Sequence, residues 1–401
     1  MFTHVAQALA DEGKFGRVAY YCQWESAFPQ SKDREIGEGL PGVERVKSVE
    51  EFIPEADLIV FPDCYMGARV EFLRSLGKRV WGPGAAEFLE TDRLKAKAAL
   101  AAAGLPETDW TLVEGVDALE KELAKVKDAY VKYSFYRADM ESYHHQKPWV
   151  TQMWLDNLRV ILGPRQKYAE FIVELPVEGV ELGFDESTVD GQFCSQVTWG
   201  IENKSSGYLG QVVDYENLPE PLLMVNEKLA PLLKQYEART FFSTEIRFGK
   251  EGAPYLIDPC VRCGNPPSQV YLRLYDNWSE HIWYGAAGEL VDLNPVARYG
   301  AQIQLHSNWA KEKYLPVDIP AALKPYVLLQ RPTMIGGKTY VTPGGAGVGA
   351  VIAMGDTLEQ VVQECLSRAE ALKSIELSYD HDALDKVLDT IQEAKNFGIR
   401  W

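Results

Sequence analysis

The chain has 401 residues, 46% of them hydrophobic, which is enough for two or three domains with full cores. Its 41 Lys and Arg against 58 Asp and Glu give a formal charge of -17. Such an acidic surface argues against nucleic acid and membrane surfaces as partners, but local Arg and Lys can still hold an anionic small substrate.

No apolar run reaches membrane-span length, and no basic stretch followed by an apolar core opens the chain. Six cysteines in a chain of this length do not make a disulfide scaffold, so the expectation is a cytoplasmic protein with reduced thiols. Three regions follow. In the first, 1–85, a helical pattern over residues 2–10 comes before strands at 17–22 and 56–61, a helix at 67–76 and a strand at 78–81. Strands alternating with helices predict a parallel α/β sheet. Such a unit ordinarily begins on a strand, so either a first strand is absent or the start differs from its relatives.

The second region, 86–290, carries the chemistry. Residues 87–103 are rich in Ala and Leu and predict one helix, stopped by Gly104 with Pro106 beyond it. Strands are expected at 130–134, 168–175, 180–184 and 194–199, and a helix at 222–236. The third region, 291–401, holds a Gly-rich stretch at 344–350 and an amphipathic helix at 357–372. The Gly-rich spacing is neither a P-loop nor a dinucleotide fingerprint, and tight turns between strands are the better reading.

The most informative segment runs from Phe241 to Arg262. Two alternating runs flank a Gly/Pro loop, the pattern of a β-hairpin. With 249–254 as the loop and Phe248 paired with Tyr255, Glu245 lies opposite Asp258 on one face. Like charges directly opposed destabilise a sheet, and a cation between them reverses the sign. Magnesium takes one or two carboxylates plus waters and phosphates, which suits this pair. A solvated acidic face is the competing reading. Arg262 follows closely, with a fork suited to a phosphate or carboxylate.

This hairpin resembles the end of the ATP-grasp core, where two acids and an Asn hold magnesium and an Arg follows. Glu245, Asp258 and Arg262 match that pattern, while Cys260 stands in the place of the Asn. Other positions agree in order. The stretch from Asp92 to Pro106 resembles the family's helix entry to the lid, with Arg93 in the place of a nucleotide-binding Lys. Lys132 resembles the lid-strand lysine that contacts ATP phosphates, and Glu174 and Glu181 resemble the hinge acid and the ribose-binding Glu. The backbone from Leu175 to Val177 would then meet the adenine edge. The chain also resembles phosphoribosylamine–glycine ligases, through Gly82-Pro83-Gly84, the run Val261 to Pro266, Glu202-Asn203-Lys204 with Gly207 and Gly210, and the stretch Gly347 to Thr357. Two departures stand out. The lid loop after Lys132 has no glycine, leaving Arg137 and Ser134 as side-chain substitutes, and a thiol at Cys260 is a poor magnesium ligand.

The resemblance implies an α/β and α+β multidomain ATP-grasp fold with a Rossmann-like N-terminal domain over 1–85. The ATP-grasp domain would span 86–290, with its lid at about 108–175, and 291–401 would complete the core. It implies a ligase that uses ATP and magnesium or manganese to join a carboxylate to an amine through an acyl phosphate, with a homodimer among the open assembly states. The implied phosphate, phosphoryl and metal residues are Lys132, Arg262, Glu245 and Asp258, with Arg93, Arg137 and Lys204 in support. Two other outcomes remain open at this point: a nucleotide-binding module without ligase activity, and chemistry that stops at a phosphorylated product. The Cys260–Cys263 pair, His144-His145 and Trp149, Trp154, Trp199 and Trp278 read either as redox, metal or pocket residues or as core and loop residues. For the cysteines no second ligand pair exists, and burial at a strand end is the simpler reading.

Overall fold

A computed structural model describes residues 2–22, 35–134 and 142–401. The chain opens on helix α1 (Thr3–Asp11), as its pattern predicts, followed by strand β1 (Val18–Tyr20), which pairs in parallel with β2 (Val43–Arg45). Strand β3 (Leu58–Val60), helix α2 (Gly67–Ser75) and strand β4 (Arg79–Trp81) form a second parallel pair.

The helix expected over 87–103 is broken. Helix α3 (Phe88–Thr91) stops at Asp92, whose extended backbone and side chain accepting from Lys95 N cap helix α4 (Arg93–Ala102). An Asp that bonds the backbone locally competes with helix continuation, and composition alone does not show this. The break turns the start of α4 toward the lid, where Ser134 Oγ accepts from Arg93 N at 3.0 Å.

The lid sheet contains β5 (Trp110–Glu114), β6 (Ala129–Lys132), β7 (Ser142–His145) and β8 (Glu170–Glu174) in the order β5-β8-β6-β7. Helices α5 (Val116–Leu123) and α6 (Pro148–Leu162) cover it. Their buried Val116, Leu119, Leu155 and Leu158 join Val131 and Phe171 in a core separate from the main one.

The main sheet has eight strands. Strands β9 (Val180–Val189), β10 (Gln196–Asn203) and β11 (Gly207–Asp214) come first in the chain. After helix α7 (Glu220–Gln235) follow β12 (Arg239–Phe248), β13 (Tyr255–Cys260), helices α8 (Ser268–Leu274) and α9 (Trp278–Gly285), and β14 (Tyr299–His306). The C-terminal stretch runs β15 (Leu315–Asp318), β16 (Val327–Leu329), β17 (Pro332–Ile335), β18 (Lys338–Val341), β19 (Gly347–Gly355), helix α10 (Leu358–Glu370), β20 (Lys373–Ser374) and helix α11 (Ala383–Ala394). The main sheet reads β13-β12-β9-β10-β11-β14-β19-β16, and β17-β18-β15-β20 form a smaller one.

Side chains alternate across strands, so the two faces of the main sheet differ sharply. Leu182 and Phe184 on β9, Phe242 and Ile246 on β12, and Trp199 on β10 are buried in the core, against α7 residues Leu222, Val225, Leu229 and Leu233. The opposite face presents Glu181, Gly183 and Asp185 from β9 and Ser243, Glu245 and Arg247 from β12. It is polar and walls a cavity.

Candidate functional site

The hairpin β12–β13 positions the central acids, with one correction to the expected register. Tyr255 pairs with Arg247, not with Phe248, and Leu256 pairs with Ile246. The register then shifts between Glu245 and Ile246, so that Glu245 does face Asp258. Ile257 is left as the extra residue of a bulge, a device that re-aims neighbouring groups. Its carbonyl accepts from Lys132 Nζ at 3.0 Å, which ties the lid to the hairpin.

On the lid side, Glu174 at the end of β8 is buried and accepts from Lys97, Thr108 and Lys132, the last at 2.7 Å. Burial opposes ionisation of Glu174, but the two lysines outweigh it and hold the carboxyl down to about 2. Arg93 Nη1 donates to Asp258 Oδ1 at 2.7 Å. Burial again works against the carboxylate, yet Arg93 and Lys132 hold Asp258 below its ordinary range. A small cleft lies here, lined by Arg93, Lys97, Lys132, Leu100, Ile172 and Leu256. Leu175 and Val177 follow β8 without regular structure, and Leu175 N donates to Asp109 O.

Across the hairpin, a cavity of about 210 Å³ is lined by Glu181, Asp185, Glu202, Lys204, Tyr208, Ser243, Glu245, Asp258, Cys260, Arg262 and the turn around Gly264–Pro267. Lys204 Nζ sits 2.8 Å from both Glu245 oxygens, 3.0 Å from Glu181 and 3.4 Å from Glu202. Glu181 also accepts from Arg247 at 3.1 Å. Burial, with neighbouring acids, raises Glu245 in spite of Lys204, and burial pushes Asp185 up to about 7. A row of glycines crosses the sheet here: Gly183 pairs with Gly200, Gly200 with Gly210, and Gly210 with Gly300. Without side chains at Gly200 and Gly210, Tyr208 lies flat across the sheet. A Cβ at Gly200 would stand 2.4 Å from its ring. Its hydroxyl thereby reaches Asp185 Oδ2 at 2.8 Å.

Arg262 lines the same cavity and is anchored by Glu90 of α3 through Nε–Oε2 at 2.8 Å. Glu90 also accepts from Val261 N at 2.7 Å. The structure thus gathers Arg93, Lys132, Glu174, Glu181, Glu245, Asp258, Arg262 and Lys204 around one hairpin. Leu175 and Val177 lie just beyond β8, and Arg137 lies outside the described residues.

The other candidates have these surroundings; His144 and His145 lie on strand β7 rather than in a loop. Cys260 and Cys263 are free and buried, and Cys260 Sγ donates to Arg262 O. His145 hydrogen-bonds Thr151 at 2.7 Å and Val126 O at 3.2 Å, while His144 hydrogen-bonds Asp128 at 2.7 Å and stacks on Tyr130. Trp199 and Trp278 are core residues, Trp154 stacks on Tyr143, and Trp149 is exposed on α6. Of the Gly-rich stretch, Gly345 and Gly347 present carbonyls to Arg331 Nη2 at 3.0 and 2.9 Å, and the rest runs into β19.

Among the described residues no group of three or more His, Cys, Asp or Glu could hold a metal by itself. The facing Glu245 and Asp258 nevertheless fit magnesium, which needs only one or two carboxylates when phosphates and waters supply the rest.

No protein-family model matches this chain, and no curated protein matches it in sequence. Solved structures do match. Phosphoribosylamine–glycine ligase from Thermotoga maritima superposes with a TM-score of 0.72 at 16% identity, over 95% of this chain and 97% of that one. The biotin carboxylase domain of Hydrogenobacter thermophilus 2-oxoglutarate carboxylase, solved as a dimer with MgADP, gives 0.68 at 11% identity, over 96% and 95%. N5-carboxyaminoimidazole ribonucleotide synthetase from Thermotoga maritima gives 0.59 at 14%, over 92% and 96%. All are ATP-grasp enzymes. This chain has the ATP-grasp fold. No helix among its described residues is long and apolar enough to cross a membrane.

Sequence reasoning missed four members of the constellation: Lys97, Glu90, Asp185 and Tyr208. Lys97 lies one helical turn past Arg93, and i,i+4 spacing puts both on one face of α4. Asp185 lies four residues after Glu181 and therefore on the same strand face, a signal that a longer β9 would have exposed.

Proposed function

We propose that this chain is an ATP-dependent carboxylate–amine ligase acting through an acyl phosphate, similar to phosphoribosylamine–glycine ligase but with a divergent substrate. The observation that carries the reading is the convergence on one hairpin of four cations, Arg93, Lys132, Lys204 and Arg262, with the facing carboxylates Glu245 and Asp258. Lys132 and Arg93 approach β13 from the lid side, and Glu245, Lys204 and Arg262 face the cavity on the other. A nucleotide triphosphate between them would meet cations along its phosphates and carboxylates where its metal must sit.

In this reading Lys132 and Arg93 hold phosphates, Glu174 sets the lysine's position, and Glu181 and the 175–177 backbone receive the nucleoside. Glu245 and Asp258 would hold magnesium or manganese, which neutralises and orients the phosphates when bound. For that, Arg93 and Lys204 exchange their carboxylate partners for phosphate oxygens. Arg262, oriented by Glu90, stabilises charge on the transferring phosphoryl group. Catalysis in this reading is chiefly positioning. Residues 1–85, 86–290 and 291–401 serve as the N-terminal, ATP-grasp and C-terminal units of a cytoplasmic enzyme.

A second reading, a nucleotide-binding module without ligase activity, is favoured by Cys260, whose thiol supplies no oxygen to a metal. Screening carboxylate–amine pairs for ADP release separates the two, with hydroxylamine as a surrogate amine. The ligase reading expects release that requires a carboxylate, and a hydroxamate product. ATP binding without turnover on any pair would leave the module reading in its place.

A further inference from the structure

We propose that the Asp185 end of the cavity is the seat of the amine substrate, bound as its ammonium ion. This rests on the ligase reading and adds the position and charge state of the second substrate. Asp185 is 4% exposed, lines the cavity, and accepts from the Tyr208 hydroxyl at 2.8 Å. No Lys or Arg pairs with it among the described residues. The nearest lysine, Lys204, is held by Glu245, Glu181 and Glu202, and Arg262 is held by Glu90.

Beside Asp185 on the paired strand stands Ser243, also 4% exposed and lining the cavity, with its hydroxyl near enough to favour the Asp185 carboxylate. The ring of Tyr208, lying over Gly200 and Gly210, supplies an aromatic surface to the same space. A buried carboxylate, a hydroxyl oxygen and an aromatic ring are together complementary to an organic ammonium. The first two accept its N–H groups, and the ring attracts its charge. Asp185 offers a divalent metal a single carboxylate, whereas the facing Glu245 and Asp258 offer it two. The volume of about 210 Å³ suits a small amine.

The probe is methylammonium, titrated into the full chain in the presence of magnesium and a non-hydrolysable ATP analogue. Saturation-transfer NMR reads its binding, and calorimetry reads the analogue. Wild type is expected to bind methylammonium, with affinity falling about tenfold or more in Asp185→Asn, the share of one charge-assisted contact. The affinity for the ATP analogue should stay within about twofold in that variant, since Asp185 has no contact with the lid cluster. Tyr208→Leu, which removes the ring and leaves Asp185, should also weaken methylammonium binding and stands in if Asp185→Asn does not fold. Binding equal in both variants and wild type, or absent from a wild type that binds the analogue, overturns the proposal. So does a loss of manganese affinity in Asp185→Asn with no methylammonium binding. Failure of wild type to bind the analogue at all would instead strike the ligase reading.

Discussion

Two charge clusters, one buried and one half-buried, lie at the β12–β13 hairpin, and they are built with opposite balances. On the lid side one carboxylate, Glu174, is shared by Lys97 and Lys132. On the cavity side one lysine, Lys204, is shared by Glu181, Glu202 and Glu245. The consequence is visible in proton affinity: Glu174 is held down, whereas Glu202, Glu245 and Asp185 are pushed up, by burial first and by one another second. A buried carboxylate with two cations leaves positive charge to spare for a polyanion. Several carboxylates around one lysine leave a deficit that an incoming cation relieves. The same fold thus carries a cluster with positive charge to spare and a cluster short of it, and the two meet at Asp258.

The comparison is broken most directly at Lys132. Lys132→Ala is expected to weaken ATP binding about 100-fold, or about 2.7 kcal/mol, as a charge-assisted phosphate contact is lost. It should also lower the melting temperature, because Glu174 keeps only one of its two lysine partners in a buried position. Adding Glu174→Gln should recover stability but not ATP affinity, with calorimetry and thermal melts reading each. Recovery of both would mean that Lys132 serves Glu174 alone.

The cavity side is sharpened by pH. Asp185 is raised in the folded chain to about 7, whereas an unfolded Asp titrates near about 3.9. The folded chain therefore binds more protons between those values, and stability falls as pH rises through that window. Tyr208, Ser243, Glu202, Lys204 and Glu245 share its surroundings. Asp185→Asn is expected to melt a few degrees above wild type, roughly 3–5 °C, at pH 8 and to converge with it near pH 4. A constant offset at all pH values would show that Asp185 is not the titrating group. The smallest effect is at Cys260. Cys260→Asn offers an oxygen where the thiol stands, and should lower the magnesium concentration needed for half-maximal ATP binding about threefold. An unchanged magnesium requirement would place that side chain outside the metal's reach.

Much of this was legible in the sequence, for reasons that differ by residue. Glu245 and Asp258 were paired correctly although the loop end was misplaced by one, because the bulge at Ile257 cancels the error. A bulge leaves no mark in a hydrophobic pattern, so Arg247 opposite Tyr255 was not readable. The helix through Asp92 looked continuous because propensity sums over a window, while the break depends on a single side chain bonding Lys95 N. Asp185 was hidden because β9 stays buried on both faces to Val189, so no alternation marks where the strand ends. Lys204 was placed only in a supporting role, since its ring of carboxylates comes from β9, β10 and β12.

The measurement that tests the central claim most directly is magnesium-dependent ATP binding by calorimetry, on wild type and on Glu245→Gln with Asp258→Asn. The account predicts that wild type binds ATP more tightly with magnesium than without it, and that the double variant loses this difference while retaining metal-free binding through Lys132 and Arg93. A magnesium effect of undiminished size in the folded double variant would contradict it and move the metal away from the hairpin.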